Sequence, residues 1–135
     1  MNEPKNNSVE SGQSDGALIY VVDDEPMLLE LASVILEPLG YTIETFRAAE
    51  SALRAFKAAK PPPALIITDY AMHVMTGLEL VEACQQIRPG QKTLLVSGTV
   101  DGEFFRDAPV KADRFLAKPY QSKQLIEVVE ALLAD

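Results

Sequence analysis

The chain has 135 residues, 47% of them hydrophobic, and a formal net charge of −8, which fits one domain with a real core and argues against unspecific nucleic-acid or membrane-surface binding, since both need a basic face. Its one cysteine, Cys84, excludes an intrachain disulfide and reads as a helix core or flanking residue in "LELVEACQQI", a usage compatible with a reducing, cytoplasmic compartment. No apolar run approaches the roughly 18 residues of a membrane span, and the N-terminal "MNEPKNNSVESGQSDG" has no apolar segment to serve as a signal peptide.

Residues 1–16 are polar, which predicts a disordered tail ahead of one domain over residues 17–135. "ALIYVV" is a continuous apolar run, the pattern of a parallel strand covered on both faces. Pro26 marks the first turn of a helix. Leu28, Leu31, Ala32 and Ile35 recur there at helical spacing, and Gly40 supplies the stop. "YTIETF" alternates and is β-branched, so it reads as a strand. "AAESALRAFKAAK" is a helix with Ala52, Leu53, Phe56 and Ala59 facing inward, ended by Pro61, Pro62 and Pro63. "ALIIT" is the third strand, "DYAMHVMTG" a loop and "LELVEACQQIR" a helix. "KTLLVS" is the fourth strand, followed by a loop with a short, weak helix in "GTVDGEFFRDAPV", expected to be the most mobile element. "DRFLA" is the fifth strand, "KPY" a turn, and "SKQLIEVVEALLA" a last helix with Leu125, Val128, Val129 and Leu132 on one side.

Strand and helix thus alternate five times, which implies an α/β fold with a five-stranded parallel sheet and helices on both faces. Right-handed crossovers and too few units for a closed barrel favour the doubly wound, flavodoxin-like order 2-1-3-4-5. Sites in such sheets lie at the carboxyl ends of the strands, here by the switch point between the first and third.

Those strand ends carry the polar chemistry. The first strand runs into Asp23 and Asp24, the third into Asp69, the fourth into Ser97 and the fifth into Lys118. Carboxylates brought together this way repel, and at least one pKa should rise unless a cation intervenes. Mg²⁺ suits the set, because it takes one or two carboxylates and keeps waters or phosphate oxygens otherwise. The chain's one histidine, His73, has no partnered serine, and no glycine-rich phosphate cradle is present. A carboxylate can itself be a nucleophile and form an aspartyl phosphate. A cation and a hydroxyl then neutralise and position the phosphoryl group.

With "VVDDEP" at 21–26, "LIITDYAM" with "MTGLEL" across 65–80, "LLVSG" at 94–98 and "FLAKPY" at 115–120, the sequence resembles the response-regulator receiver domains of two-component signalling, over about residues 17–135. The resemblance implies that Asp69 is the phosphoacceptor. It implies that Asp24 and Asp69 ligate Mg²⁺ by side chain, Ala71 by its backbone carbonyl and Asp23 through water. It implies that Ser97 and Lys118 meet the phosphoryl group, that the Lys118–Pro119 peptide is cis, and that Phe115 is the aromatic switch residue. Two positions depart from the family's common pattern. Phe115 lacks the hydroxyl of the tyrosine often found there, and His73 stands where proline is frequent.

The resemblance further implies a phosphoacceptor switch rather than an enzyme. A histidine kinase or histidine phosphotransfer protein would supply the phosphate. A separate downstream protein would read the face formed by the fourth predicted helix, the fifth strand and the last helix, unless the chain is a fragment of a longer regulator. That face carries Arg106, Lys111 and Arg114 and is also a candidate homodimer surface. Two other readings compete. One is a constitutive interaction module with the same fold, which the intact set of Asp23, Asp24, Asp69, Ser97 and Lys118 argues against. The other is an aspartyl phosphatase, which would want an Asp-x-Asp after the first strand. Singly, the residues have plainer readings: Asp23 and Asp24 as helix caps, Ser97 as a turn residue, His73 as an exposed loop residue.

Overall fold

The structure, a computed structural model, describes residues 16–98 and 112–134. The expected tail, over 1–15, and the weak helix expected within 99–111, with Arg106 and Lys111, lie outside the described residues.

Five strands, β1 (Leu18–Val22), β2 (Thr42–Phe46), β3 (Leu65–Asp69), β4 (Thr93–Ser97) and β5 (Arg114–Ala117), form one sheet in the order β2-β1-β3-β4-β5. Every pairing is parallel. The described helices are α1 (Pro26–Leu36), α2 (Ala49–Ala58), α3 (Gly77–Ile87) and α4 (Ser122–Leu133), with a 3₁₀ turn at Glu37–Leu39.

The continuous apolar strands have a direct cause. Side chains alternate across a strand, and both faces are covered. Ile19, Val21, Leu65, Ile67, Leu94 and Val96 pack beneath α1 and α4. Tyr20, Val22 and Ile66 point the other way, against Ala49, Ala52 and Phe56 of α2 and Leu80 and Cys84 of α3. The Tyr20 and Phe46 rings meet at 4.8 Å between centroids. Each fully buried Leu or Ile in these layers contributes about 1.5–3 kcal/mol relative to exposure.

Helix phase departs from the sequence expectation. In α1 the buried row is Leu29, Ala32 and Leu36, while Leu31 is 41% exposed and Ile35 only partly buried. Apolar residues occupy most of "PMLLELASVIL", so periodicity alone cannot choose among several rows. The sheet chooses one, and Met27, Leu31 and Val34 form a second, outward row. In α2 the buried set is Ala49, Ala52 and Phe56, with Leu53 at the margin and Ala59 beyond the helix as its C-cap. In α4, Leu125, Val129 and Leu132 are buried and Val128 packs at the edge.

α3 starts with a reciprocal cap. Glu79 N donates to Thr76 Oγ1 at 3.1 Å, and Thr76 N donates to Glu79 Oε1 at 2.9 Å, satisfying two otherwise orphaned groups. At the far edge Thr93 N donates to Asp113 Oδ2 at 2.8 Å, while Asp113 N donates to Thr93 Oγ1 at 3.1 Å. This exchange ties the entry of β5 to the start of β4.

Candidate functional site

Register brings the polar strand ends to one level. Val22 of β1 stands beside Thr68 of β3, Asp69 beside Val96, and Ser97 beside Ala117. The next residues out are therefore Asp23 and Asp24 from β1, Asp69 itself, Ser97, and Lys118 beyond β5. Asp23, Asp24 and Asp69 each present a carboxylate oxygen within 4.8 Å of the others. Asp23 and Asp69 are buried and Asp24 is half-buried.

Local bonds hold this geometry. Asp23 N donates to Phe46 O at 3.0 Å, and Glu25 N donates to Asp23 Oδ1 at 3.0 Å. The second bond folds the chain back into α1, which Pro26 opens. Lys118 N donates to Ser97 O at 2.9 Å, so the backbone of the buried Ser97 anchors the lysine. Lys118 Nζ reaches Asp69 Oδ1 at 3.0 Å and Asp23 Oδ2 at 3.3 Å. The Lys118–Pro119 peptide is cis, as is Lys60–Pro61.

The charges do not balance within the protein. Among the described residues, the Lys118 ammonium pairs with Asp23 and Asp69, and the Asp24 carboxylate clusters beside them. Burial pushes the Asp69 carboxyl above its ordinary pKa; the Lys118 hydrogen bond opposes this, and the charges of Asp23 and Asp24 add to the rise. Burial alone would lower the Lys118 ammonium, but its hydrogen bond to Asp69 and the charges of Asp23 and Asp69 outweigh it and hold the pKa above normal. A compact set of carboxylate oxygens with surplus negative charge is the donor chemistry that a small, hard divalent cation requires.

The remaining predicted residues fall around this centre. Ala71 lies on the exposed loop two residues beyond Asp69. Phe115 sits in mid-β5 opposite Leu95, with 37% of its surface exposed. His73, from the same loop as Ala71, brings Nε2 to 4.0 Å from Asp24 Oδ2.

Three contributors escaped the sequence reading. Thr68 is fully buried, and its hydroxyl donates to the Asp69 carbonyl at 3.0 Å. Gly77 packs against that same carbonyl, while Gly77 N donates to Tyr70 O at 2.9 Å. Tyr120 lines a small cavity with Asp23, Asp69 and Lys118, and its phenol pKa is raised by burial and by Asp23. A glycine opening a helix was the one available signal, since glycine is a poor helix former kept where backbones approach. A larger cavity of about 390 Å³ adjoins, lined by Leu28, Leu31, Gly98, Lys118, Pro119 and Tyr120.

A family model described as the response regulator receiver domain matches residues 19–130. The chain is 31% identical over 117 residues to the probable transcriptional regulatory protein TcrX of Mycobacterium tuberculosis, covering 85% of this chain and 49% of that protein. It is 32% identical over 118 residues to the nitrogen assimilation regulatory protein NtrX of Azorhizobium caulinodans, covering 85% and 26%. The chain thus spans about half or less of the length of these curated relatives. Among solved structures, Vibrio cholerae chemotaxis protein CheY4 superposes with a TM-score of 0.80 at 27% identity, covering 87% of this chain and 99% of that one. A CheY-like receiver domain protein from Methanospirillum hungatei gives 0.79 at 29% identity, covering 88% and 94%.

Proposed function

The chain belongs to the response-regulator receiver family, and from that premise we propose that it is a Mg²⁺-dependent phosphoacceptor switch with Asp69 as the acceptor. We place the receiver domain at residues 17–135, after the polar sequence of residues 1–16. The observation that carries the reading is the Asp69 carboxylate, buried at a strand end, 3.0 Å from Lys118 Nζ and clustered with Asp23 and Asp24.

Asp24 and Asp69, with the Ala71 carbonyl and Asp23 through water, would hold Mg²⁺, which supplies charge neutralisation for the incoming phosphoryl group. Asp69 forms a bond to phosphorus as the bond from phosphorus to the donor breaks. Lys118 then exchanges its contact with Asp69 for one with a phosphoryl oxygen, and the Ser97 hydroxyl donates to another. Phosphorylation adds roughly −1.5 to −2 of charge near neutral pH. Phe115, held half-exposed in β5, repacks inward as Ser97 moves. The face around β5 and α4 changes its affinity for a separate downstream protein or for a second copy, because phosphate favours one of two arrangements. The chain acts as a signalling module, with slow loss of its own phosphate as its only turnover.

The donor is a histidine kinase or histidine phosphotransfer protein. The outward row Met27, Leu31 and Val34 is 81%, 41% and 62% exposed, and it adjoins the cavity that Lys118 and Tyr120 line. An apolar row beside the phosphoacceptor suits a helical partner. Among the described residues no helix is long and apolar enough to cross a membrane, and we place the reaction in the cytoplasm with no nucleic acid bound by this domain.

The test is intact-mass spectrometry after incubation with Mg²⁺ and acetyl phosphate. One phosphoryl adduct is expected on the wild type, lost without Mg²⁺ and absent in Asp69→Asn. Absence of both an adduct and Mg²⁺ binding would replace the switch with a constitutive interaction module.

A further inference from the structure

The loop between β3 and α3 sets His73 over the solvent side of the acidic centre. Its Nε2 lies 4.0 Å from Asp24 Oδ2, with the imidazole 92% exposed and the Asp24 carboxylate 35% exposed. Asp24 is therefore shared, facing Asp23 and Asp69 inward and an imidazole outward. Two ligand atoms each about 2.0–2.2 Å from one ion stand between about 3 Å (cis) and about 4.2 Å (trans) apart. The observed 4.0 Å is near the wide end of that span, so the exposed imidazole would swing inward to join an ion that Asp69 also holds. Met75 N donates to His73 O at 2.7 Å, which holds the backbone that carries the imidazole.

We propose that His73 is an additional ligand for an ion held by Asp24, and that it tilts the centre toward imidazole-binding divalent ions. This rests on the reading that the carboxylates hold a divalent cation. Mg²⁺ is hard, prefers oxygen and gives up water reluctantly, so it gains little from His73. Ni²⁺, Co²⁺ and Zn²⁺ bind imidazole well and sit higher in the affinity order of first-row ions. The exposure of His73 leaves a path for the imidazole to replace one water of an ion already seated on Asp24. His73 is the one histidine in the chain, so any imidazole contribution is assigned without ambiguity.

The experiment is isothermal titration calorimetry with Mg²⁺ and with Ni²⁺ on tag-free wild type, His73→Ala and Asp24→Asn. Imidazole resonances are followed alongside by NMR at substoichiometric Ni²⁺. Loss of the imidazole should weaken Ni²⁺ by about tenfold or more while Mg²⁺ affinity changes by less than about twofold. Asp24→Asn should weaken both ions, and Ni²⁺ should broaden the His73 signals in the wild type but not in Asp24→Asn. An unchanged ratio of Ni²⁺ to Mg²⁺ affinity in His73→Ala overturns the inference. So does Ni²⁺ binding that survives in Asp24→Asn, because His73 would then act alone. If the wild type binds neither ion, the metal-centre reading fails and takes this inference with it.

Discussion

The Cα of Gly77 lies so close to the backbone carbonyl of Asp69 that a Cβ at residue 77 would stand 2.1 Å from that oxygen. Backbone, not a flexible side-chain tip, is what such a Cβ would meet. Gly77→Ala must therefore displace either the start of α3 or the end of β3. Overpacking of this kind costs about 1–3 kcal/mol, and the displacement falls on Asp69, the proposed phosphoacceptor. The variant should lose that much stability in urea titration and label more slowly with acetyl phosphate. Wild-type labelling would show that Asp69 does not depend on this contact.

Asp69 makes stability depend on pH with a definite sign. Its folded pKa lies above its unfolded value near 3.8, chiefly through burial. The folded state therefore holds the proton more tightly. The stabilisation from that proton is complete below the unfolded value and is lost as pH rises through the folded one. At neutral pH without divalent ions, Asp69→Asn should melt higher than wild type, and the gap should close as pH falls below the carboxylate range. Mg²⁺ should reverse the order. At 100 times its Kd a ligand specific for the folded state adds about 2.7 kcal/mol, and Asp69→Asn should receive less. Thermal melts across pH, with and without Mg²⁺, measure both effects.

A change on the outward row of α1 would separate the proposed docking from the chemistry. Val34 is 62% exposed, so Val34→Lys should change stability by less than about 0.5 kcal/mol. Labelling by acetyl phosphate should be unchanged. Transfer from a phosphorylated histidine kinase should slow by about fivefold or more, the effect of losing an interface residue worth about 1 kcal/mol or more. Equal transfer rates for variant and wild type would move the docking surface elsewhere.

Val74 sits at φ +68° with 89% of its surface exposed. The bond from Met75 N to His73 O closes a tight turn around it. A β-branched residue is unfavourable in the left-handed region by about 1–2 kcal/mol, and no burial offsets the cost here. Val74→Gly should raise the unfolding free energy by up to about 1 kcal/mol once glycine's extra unfolded-state entropy is counted. A loss of stability in chemical denaturation would show that the side chain makes a contact worth more than the strain.

The strand order and the grouping of acids at one end of the sheet were legible in the residues because parallel strands buried on both faces read as unbroken apolar runs. The first polar residue after each run then marks the rim, which is how Asp23, Asp69 and Lys118 stand out from sequence alone. The phase of α1 was not legible, because its outward residues Met27, Leu31 and Val34 are as apolar as its inward ones. The sheet beneath selected Leu29, Ala32 and Leu36. Gly77 looked like an ordinary loop residue, and its approach to the Asp69 carbonyl exists only once α3 folds back over the end of β3. The same is true of His73, whose imidazole meets Asp24 across 49 positions of sequence. Local pattern determined which elements form and where each ends, because periodicity is a property of neighbours in the chain. Which polar groups stand close enough to share a charge was decided only by the packed fold, because those distances are set by residues far apart in sequence.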